Sequence, residues 1–263
     1  MNILDTIIAA KRIEVAGRKL QLPVSLLEKS AGFKRQKISL EQFLLDDNRT
    51  GIIAEFKRRS PSKGIINANA DVVEVTRAYA ENGASALSVL TDELFFGGST
   101  ADLEAARINQ IPILRKDFII DEYQLVEAKS MGADVILLIA ACLSPGEVKF
   151  LARAATDLGL EVLLELHDND ELGHVNEFTP IVGINNRNLK TFTVDIDRSL
   201  SMASLLPANT VKVAESGIDK VDNIKLFREN GFRGFLMGEF FMKSPDPGEA
   251  FRHFVHQLKT ASL

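Results

Sequence analysis

The 263-residue chain contains no tryptophan, only two tyrosines and a single cysteine, Cys142. One cysteine excludes an internal disulfide and any cysteine-based metal cluster, and it fits a reducing compartment. The four histidines, His167, His174, His253 and His256, show neither HxxxH nor HExxH spacing. No metal is therefore expected. Charge of one sign is also scarce: 31 Lys+Arg stand against 36 Asp+Glu, and the net charge of -5 offers no general attraction to nucleic acid or anionic lipid. The longest apolar stretch, Val135 to Leu143, falls far short of the roughly 20 residues a membrane helix needs. The amino-terminal segment has no basic leader and carries Asp5 inside its apolar part, unlike a signal peptide. A cytoplasmic protein with no nucleic-acid or membrane partner is expected.

With 46% hydrophobic and 25% charged residues, the chain can bury a sizeable core. From Gly51 onward, eight short apolar runs recur: GIIAEFK, SALSVLT, IPILRKD, DVILLIA, EVLLELH, IVGINN, VKVAES and GFLMGE. They start roughly 20 to 34 residues apart, the length of a strand, a helix and two turns. Between several of them, stretches such as VVEVTRAYAENG and PGEVKFLARAATDLG repeat apolar residues every three or four positions. The runs are continuously apolar, as in parallel strands covered on both faces. Eight such units predict a (β/α)8 TIM barrel over residues 51–263. An open doubly wound sheet needs fewer strands and a glycine-rich first loop, whereas KRRSPSKG holds one glycine. Residues 1–50 form an N-terminal helical extension of the same domain: one helix around Leu4, Ile7, Ile8 and Ile13, a short one after Pro23, and a third over SLEQFLLDD. It closes the barrel's bottom as a cap or its top as a lid, and periodicity does not choose.

In a barrel the carboxyl ends of the strands face the active site. Glu55 and Lys57 lie two residues apart and so point to one side. Lys116, Glu165, Asn185, Arg187 and Glu215 end other runs. Each alone reads as a strand-end charge reaching solvent; together they predict a proton-transfer site. The turns ESGI at Glu215 and MGEFF at Met237 offer backbone amides to a phosphate, with tight turns as the plainer reading. The carboxylate of Glu239 is expected to turn away. The basic RRSPSKG loop suits an anionic substrate. Phe95, Phe96 and Phe118 suit an aromatic one, though loop phenylalanines are usually minor core.

In their order and spacing, AEFKRRSPSKG, LTDELFFGGS, PILRKDFIID, LLEL, GINNRNL, VAESGI and FLMGEFFM resemble the indole-3-glycerol phosphate synthase family of tryptophan biosynthesis. The resemblance runs over the whole chain and implies a barrel with an N-terminal helical extension. It also implies a cofactor-free and metal-free carboxy-lyase that converts 1-(2-carboxyphenylamino)-1-deoxyribulose 5-phosphate to indole-3-glycerol phosphate. By the same resemblance, Lys116 is the general acid at the keto oxygen, Glu165 the acid/base partner in dehydration, and Glu55 the carboxylate at the amine. Lys57 is a substrate-binding lysine, and Ser60, Asn185 and Arg187 supply polar contacts around the substrate and catalytic carboxylates. Glu215 opens the ESG motif; Ser216, Gly217, Gly238 and Glu239 align to the phosphate cradle, and Phe96 and Phe118 with Leu137 or Leu138 to the aromatic wall. Many family members have serine where this chain has Glu239.

For Lys116 to act near neutral pH, neighbouring cations and partial burial are expected to lower its pKa. Whether Lys116, or Glu165 with Lys57, delivers the dehydration proton stays open. Two other readings compete: another phosphate-binding barrel enzyme, whether a sugar-phosphate isomerase or a Schiff-base aldolase, and a non-catalytic phosphate-ligand sensor. A monomer is expected, with a weak homo-oligomer as the alternative. The eighth run and EAFRHFVHQLK occupy the rest of the chain, as in the monofunctional form of the family.

Overall fold

The structure is a computed structural model that describes residues 3–188 and 193–261. Leu189, which ends the GINNRNL motif, lies outside the described residues. The chain begins with helices α1 (Ile3–Gln21), α2 (Val24–Leu27) and α3 (Leu40–Leu45). Strand β1 (Ile52–Phe56) follows, then a small antiparallel pair, β2 (Arg59–Ser60) and β3 (Gly64–Ile65). Strands β4 (Ala86–Leu90), β5 (Ile113–Lys116), β6 (Val135–Ile139), β7 (Glu161–Leu166), β8 (Ile181–Asn185), β9 (Val211–Glu215) and β10 (Phe232–Met237) complete the sheet. All eight long strands pair in parallel, and β1 bonds to both β4 and β10, so the sheet closes into a barrel. The eighth apolar run, read from Gly234, starts two residues earlier, at Phe232.

Around the barrel lie α4 (Val72–Glu81), α5 (Thr100–Ala106), α6 (Glu122–Ser130), α7 (Pro145–Asp157), α8 (Ile196–Ala203), α9 (Val221–Glu229), the single turn α10 (Glu239–Met242) and α11 (Pro247–Thr260). Asp71, Ser99, Asp121, Ser144, Asp195 and Asp246 cap helix starts by accepting backbone N–H bonds. Between β7 and β8 the α-helix is replaced by a 3₁₀ segment, Asn169–His174, where the sequence NDELGH has no apolar stripe.

Alternation along each strand divides the core in two. Ile53, Leu114, Leu137, Leu163, Ile181 and Val213 fill the barrel interior, while neighbours such as Ala54, Leu138 and Leu164 face the helices. Among the described residues, no helix is long and apolar enough to cross a membrane.

The extension serves both ends of the barrel. At the strands' amino ends, Glu161 accepts the N–H groups of Leu40 (2.7 Å) and Glu41 (3.1 Å) at the start of α3. Leu40 and Leu44 enter the interior cluster there, and the buried Asp134 is paired with Arg35 and with Arg107. At the carboxyl ends, α1 sends Lys11 inward. Its buried ammonium lies 2.9 Å from Asp92 and 2.9 Å from Asp117, and 2.8 Å from Glu14. The buried stripe of α1 is therefore Ile7, Lys11 and Val15. Ile13, assigned to the apolar face by its type, points to solvent at 77% exposure.

Burial alone would lower the pKa of Lys11, but the Asp117 and Asp92 charges outweigh it and hold the pKa above the ordinary lysine value. Burial likewise opposes the charge of Asp117, yet Arg115 and Lys11 bring it down to about 2. Removing one member of such a buried cluster strands the others. Lys11→Met is therefore expected to lower the unfolding free energy by about 3–5 kcal/mol in urea titrations.

Candidate active site

Alternation and barrel closure bring the predicted strand-end residues into one mouth. Glu55, Glu165 and Glu215 are each under 5% exposed, although they sit at the open end of the strands. The Lys116 ammonium lies 3.2 Å from Glu165 Oε2. Glu165 Oε1 accepts from Asn185 Nδ2 at 2.9 Å and lies 2.9 Å from His167 Nε2. Across the mouth, Lys57 donates to Glu55 Oε1 at 2.6 Å, and Ser88 Oγ reaches Glu55 Oε2 at 3.5 Å.

Glu215 depends on a glycine. A Cβ at Gly183, the register partner of Glu165, would lie 2.0 Å from Glu215 Oε1. A mid-strand glycine that admits a neighbour's side chain accounts for its place in IVGINN. Glu215 Oε1 itself is buried and has no hydrogen-bond partner among the described residues.

The charges follow from this packing. Burial disfavours the Lys116 ammonium, but Glu165, Glu215 and Glu55 together outweigh it and raise its pKa above the ordinary lysine value. The expected lowering by nearby cations is thus overturned, because the nearest charges are carboxylates. Burial opposes ionisation of Glu165 too, yet Lys116 and then His167 hold it well below the usual carboxylate range. Glu215 goes the other way: burial first, then the Glu165 charge, pushes it up to about 8. Near neutral pH the mouth therefore holds an ammonium, a carboxylate and a neutral carboxylic acid within one cluster. Burial and the charges of Glu165 and Glu171 push the Cys142 thiol up to about 12, which leaves it without thiolate character.

The two glycine turns lie beside this cluster. Ser216 and Gly217 are both left-handed, with φ of 66° and 69°, a conformation uncommon for a residue other than glycine. A Cβ at Gly217 would lie 2.4 Å from Val194 Cγ1, and one at Gly238 would lie 2.7 Å from Glu55 Cβ. Gly238 caps α10, which begins at Glu239. The Glu239 carboxylate lies 3.3 Å from Arg187 and 3.7 Å from Lys63. Arg187 accordingly sits at the glycine-turn side, while Asn185, two residues earlier, faces Glu165.

The aromatic residues meet on the other flank. Phe96 and Phe118 are half-buried, with ring centroids 6.0 Å apart. Asp92 Oδ1 accepts the N–H groups of Phe95 and Phe96, and Asp117 Oδ1 accepts that of Phe118, so the Lys11 cluster fixes both rings from behind. Of the two leucine candidates, Leu137 faces the barrel interior and Leu138 the helices. Ser60 is nearly buried within the short hairpin, and Arg59 binds the carbonyls of Glu93 and Leu94, tying that loop to the one after β4.

Sequence reading missed His167, Gly183 and Ser88. The spacing of Glu165 and His167 is the same two-residue step that identified Glu55 and Lys57. It was the available signal.

A raised carboxyl pKa favours folding below the unfolded value and loses that contribution as pH rises through the folded value. Glu215 therefore contributes fully below about pH 4.3 and loses its contribution up to about 8. Glu215→Gln is expected to flatten the decline of unfolding free energy between pH 5 and 9 by more than about 1 kcal/mol, measured by urea denaturation.

A family model described as indole-3-glycerol phosphate synthase matches residues 4–254. The indole-3-glycerol phosphate synthase of Bacteroides thetaiotaomicron is 49% identical over 259 residues, covering 98% of this chain and 99% of that protein. The protein of the same name from Polynucleobacter asymbioticus is 44% identical, covering 95% and 97%. Among solved structures, the tryptophan synthase alpha subunit of Legionella pneumophila superposes with a TM-score of 0.62 at 13% identity, covering 84% of this chain and 97% of that one. At that identity the likeness concerns the barrel alone.

Proposed function

The chain belongs to the indole-3-glycerol phosphate synthase family, and we propose that its mouth closes, decarboxylates and dehydrates 1-(2-carboxyphenylamino)-1-deoxyribulose 5-phosphate. The observation that carries the assignment of roles is the Lys116 ammonium set 3.2 Å from the Glu165 carboxylate and kept charged chiefly by it, with the Glu215 and Glu55 carboxyls close by. A charged lysine is a proton donor and not a nucleophile, which favours acid catalysis over the Schiff-base aldolase reading.

In the first step the aromatic carbon bearing the carboxylate attacks the ketone carbon. Lys116 gives its proton to the oxygen as that oxygen becomes an alkoxide, a stronger base than the lysine amine left behind. Loss of carbon dioxide returns the bonding electrons to the ring. Dehydration then requires one proton on the departing hydroxyl and removal of another from the nitrogen-bearing part of the new ring. Glu165, ionised, takes the ring proton as the acid/base group of this step, the neutral Glu215 gives the proton with which the hydroxyl leaves as water, and Glu55 holds the amine.

Lys57, Arg187 and the turns at Ser216–Gly217 and Gly238–Glu239 are assigned to the phosphate, with Ser60 and Asn185 as further polar contacts. Phe96, Phe118 and Leu137 are assigned to the aromatic ring. Glu239 then acts through its backbone N–H, its carboxylate being engaged by Arg187 and Lys63. The substrate is small and phosphorylated and calls for no macromolecular partner; a cytoplasmic monomer is the form proposed.

The chain has no tryptophan, so protein fluorescence at indole wavelengths is weak and the product reports itself. Added substrate is expected to produce growing indole emission together with carbon dioxide; a reaction without indole emission refutes the assignment. Lys116→Met is expected to reduce turnover at least about 100-fold while leaving binding of a non-cyclising substrate analogue largely intact. Borohydride added with substrate should trap no adduct on Lys116.

A further inference from the structure

Two buried carboxyls, Glu165 on β7 and Glu215 on β9, share the mouth and both act on Lys116, but their surroundings differ. Lys116 lies 3.2 Å from Glu165, Asn185 donates to the same carboxylate at 2.9 Å, and His167 Nε2 lies 2.9 Å from it, whereas Glu215 Oε1 has no hydrogen-bond partner among the described residues. We propose that His167 is a positioning residue that, together with Asn185, clamps Glu165 Oε1 and keeps that carboxyl ionised and turned to Lys116.

Of the two carboxyls, His167 contacts Glu165, although its charge also reaches Glu215. Of the four histidines, His167 is the buried one, at 6% exposure. It follows the last residue of β7 and, by strand alternation, points to the same side as Glu165. Its Nε2 lies 2.9 Å from Glu165 Oε1. From behind, Glu171 in the 3₁₀ segment accepts the His167 backbone N–H at 2.6 Å and places the same carboxylate oxygen 3.7 Å from Nδ1. The imidazole thus lies between two acidic groups. Burial opposes its charge, but Glu165 and Glu171 outweigh burial and raise its pKa to about 9.

A line of alternating charge results, Glu171, His167, Glu165 and Lys116, with Glu215 at its side. The other titratable groups in this field are the Cys142 thiol on the turn after β6, Asp5 on α1, which acts on Cys142, and Glu55 on β1, which acts on Glu215 and Lys116. Environments that separate the pKa values of paired groups assign acid and base roles. Here His167 stands outside the reacting set and, by its contact with Oε1, acts on Glu165 more directly than on Glu215.

The inference rests on the Glu165 role proposed above, so its test reads the proton separately from turnover. In full-length enzyme labelled with carboxyl-¹³C glutamate, the Glu165 and Glu215 resonances are assigned by their loss in Glu165→Gln and Glu215→Gln. Wild type should show Glu215 titrating near pH 8 and Glu165 ionised throughout the folded range. His167→Gln, which keeps a donor near Nε2 but no charge, and His167→Phe should each bring a Glu165 midpoint up into the folded range, to about pH 4 or above. The kcat should fall about tenfold, with KM held within about twofold. A Glu165 that stays ionised throughout the folded range in both variants overturns the proposal, as does an equal loss in kcat and gain in KM.

Should neither His167 variant fold, Glu171→Gln retains the imidazole. It is then expected to lower the His167 midpoint and raise that of Glu165, and movement of neither refutes the clamp. Full turnover in Glu165→Gln, beside a shifted midpoint in His167→Gln, removes the catalytic role of Glu165 and leaves the clamp standing.

Discussion

The site is organised by the need to neutralise one half-buried ammonium. Lys116 enters the barrel mouth from β5 with its side chain 18% exposed, and a charge so far withdrawn from water is tolerated chiefly when paired. Glu165 supplies the direct partner at 3.2 Å. Glu55 and Glu215 surround it with two further carboxyls, and burial with the Glu165 charge makes Glu215 hold its proton. The same arrangement that stabilises the lysine therefore creates a poised acid beside it. Structure and proposed chemistry share one electrostatic cause.

A second buried lysine performs the corresponding structural task. Lys11 draws α1 onto the carboxyl ends of β4 and β5 through Asp92 and Asp117; the other oxygen of Asp92 accepts the Phe96 N–H, the other oxygen of Asp117 accepts from Arg115, and the Asp117 oxygen that faces Lys11 also accepts the Phe118 N–H. Meanwhile α3 closes the opposite end with Leu40 and Leu44 against interior side chains. The choice between cap and lid is resolved as both, because a segment of about 50 residues is long enough to run down the side of the barrel along α6. Tyr123, at the start of α6, accepts this strap by donating its hydroxyl to the carbonyls of Arg18 and Leu22.

Much of this was legible beforehand where a local rule operates. Continuous apolar runs and their spacing give the eight parallel strands, and two-residue alternation puts Glu55, Glu165, Asn185 and Glu215 inward. Helix caps at Asp and Ser are equally local. Legibility failed where a side chain's environment comes from distant strands. Ile13 was assigned inward by its hydrophobicity, but the position that faces the barrel belongs to Lys11, whose burial is permitted only by two aspartates about 80 and 106 residues further on. His167 passed unnoticed because a lone histidine acquires meaning only from what lies across from it.

The sequence by itself determined the architecture, the family and the set of residues able to enter the mouth, since strand period, element spacing and motif order are one-dimensional properties. Only the tertiary structure decided their ionisation. The sign of the Lys116 shift, the separation of Glu165 from Glu215, the space that Gly183 leaves for Glu215 and the engagement of Glu239 by Lys63 and Arg187 all depend on distances between strands. Coulombic and desolvation energies vary with separation and burial in space, and neither can be read from spacing along the chain.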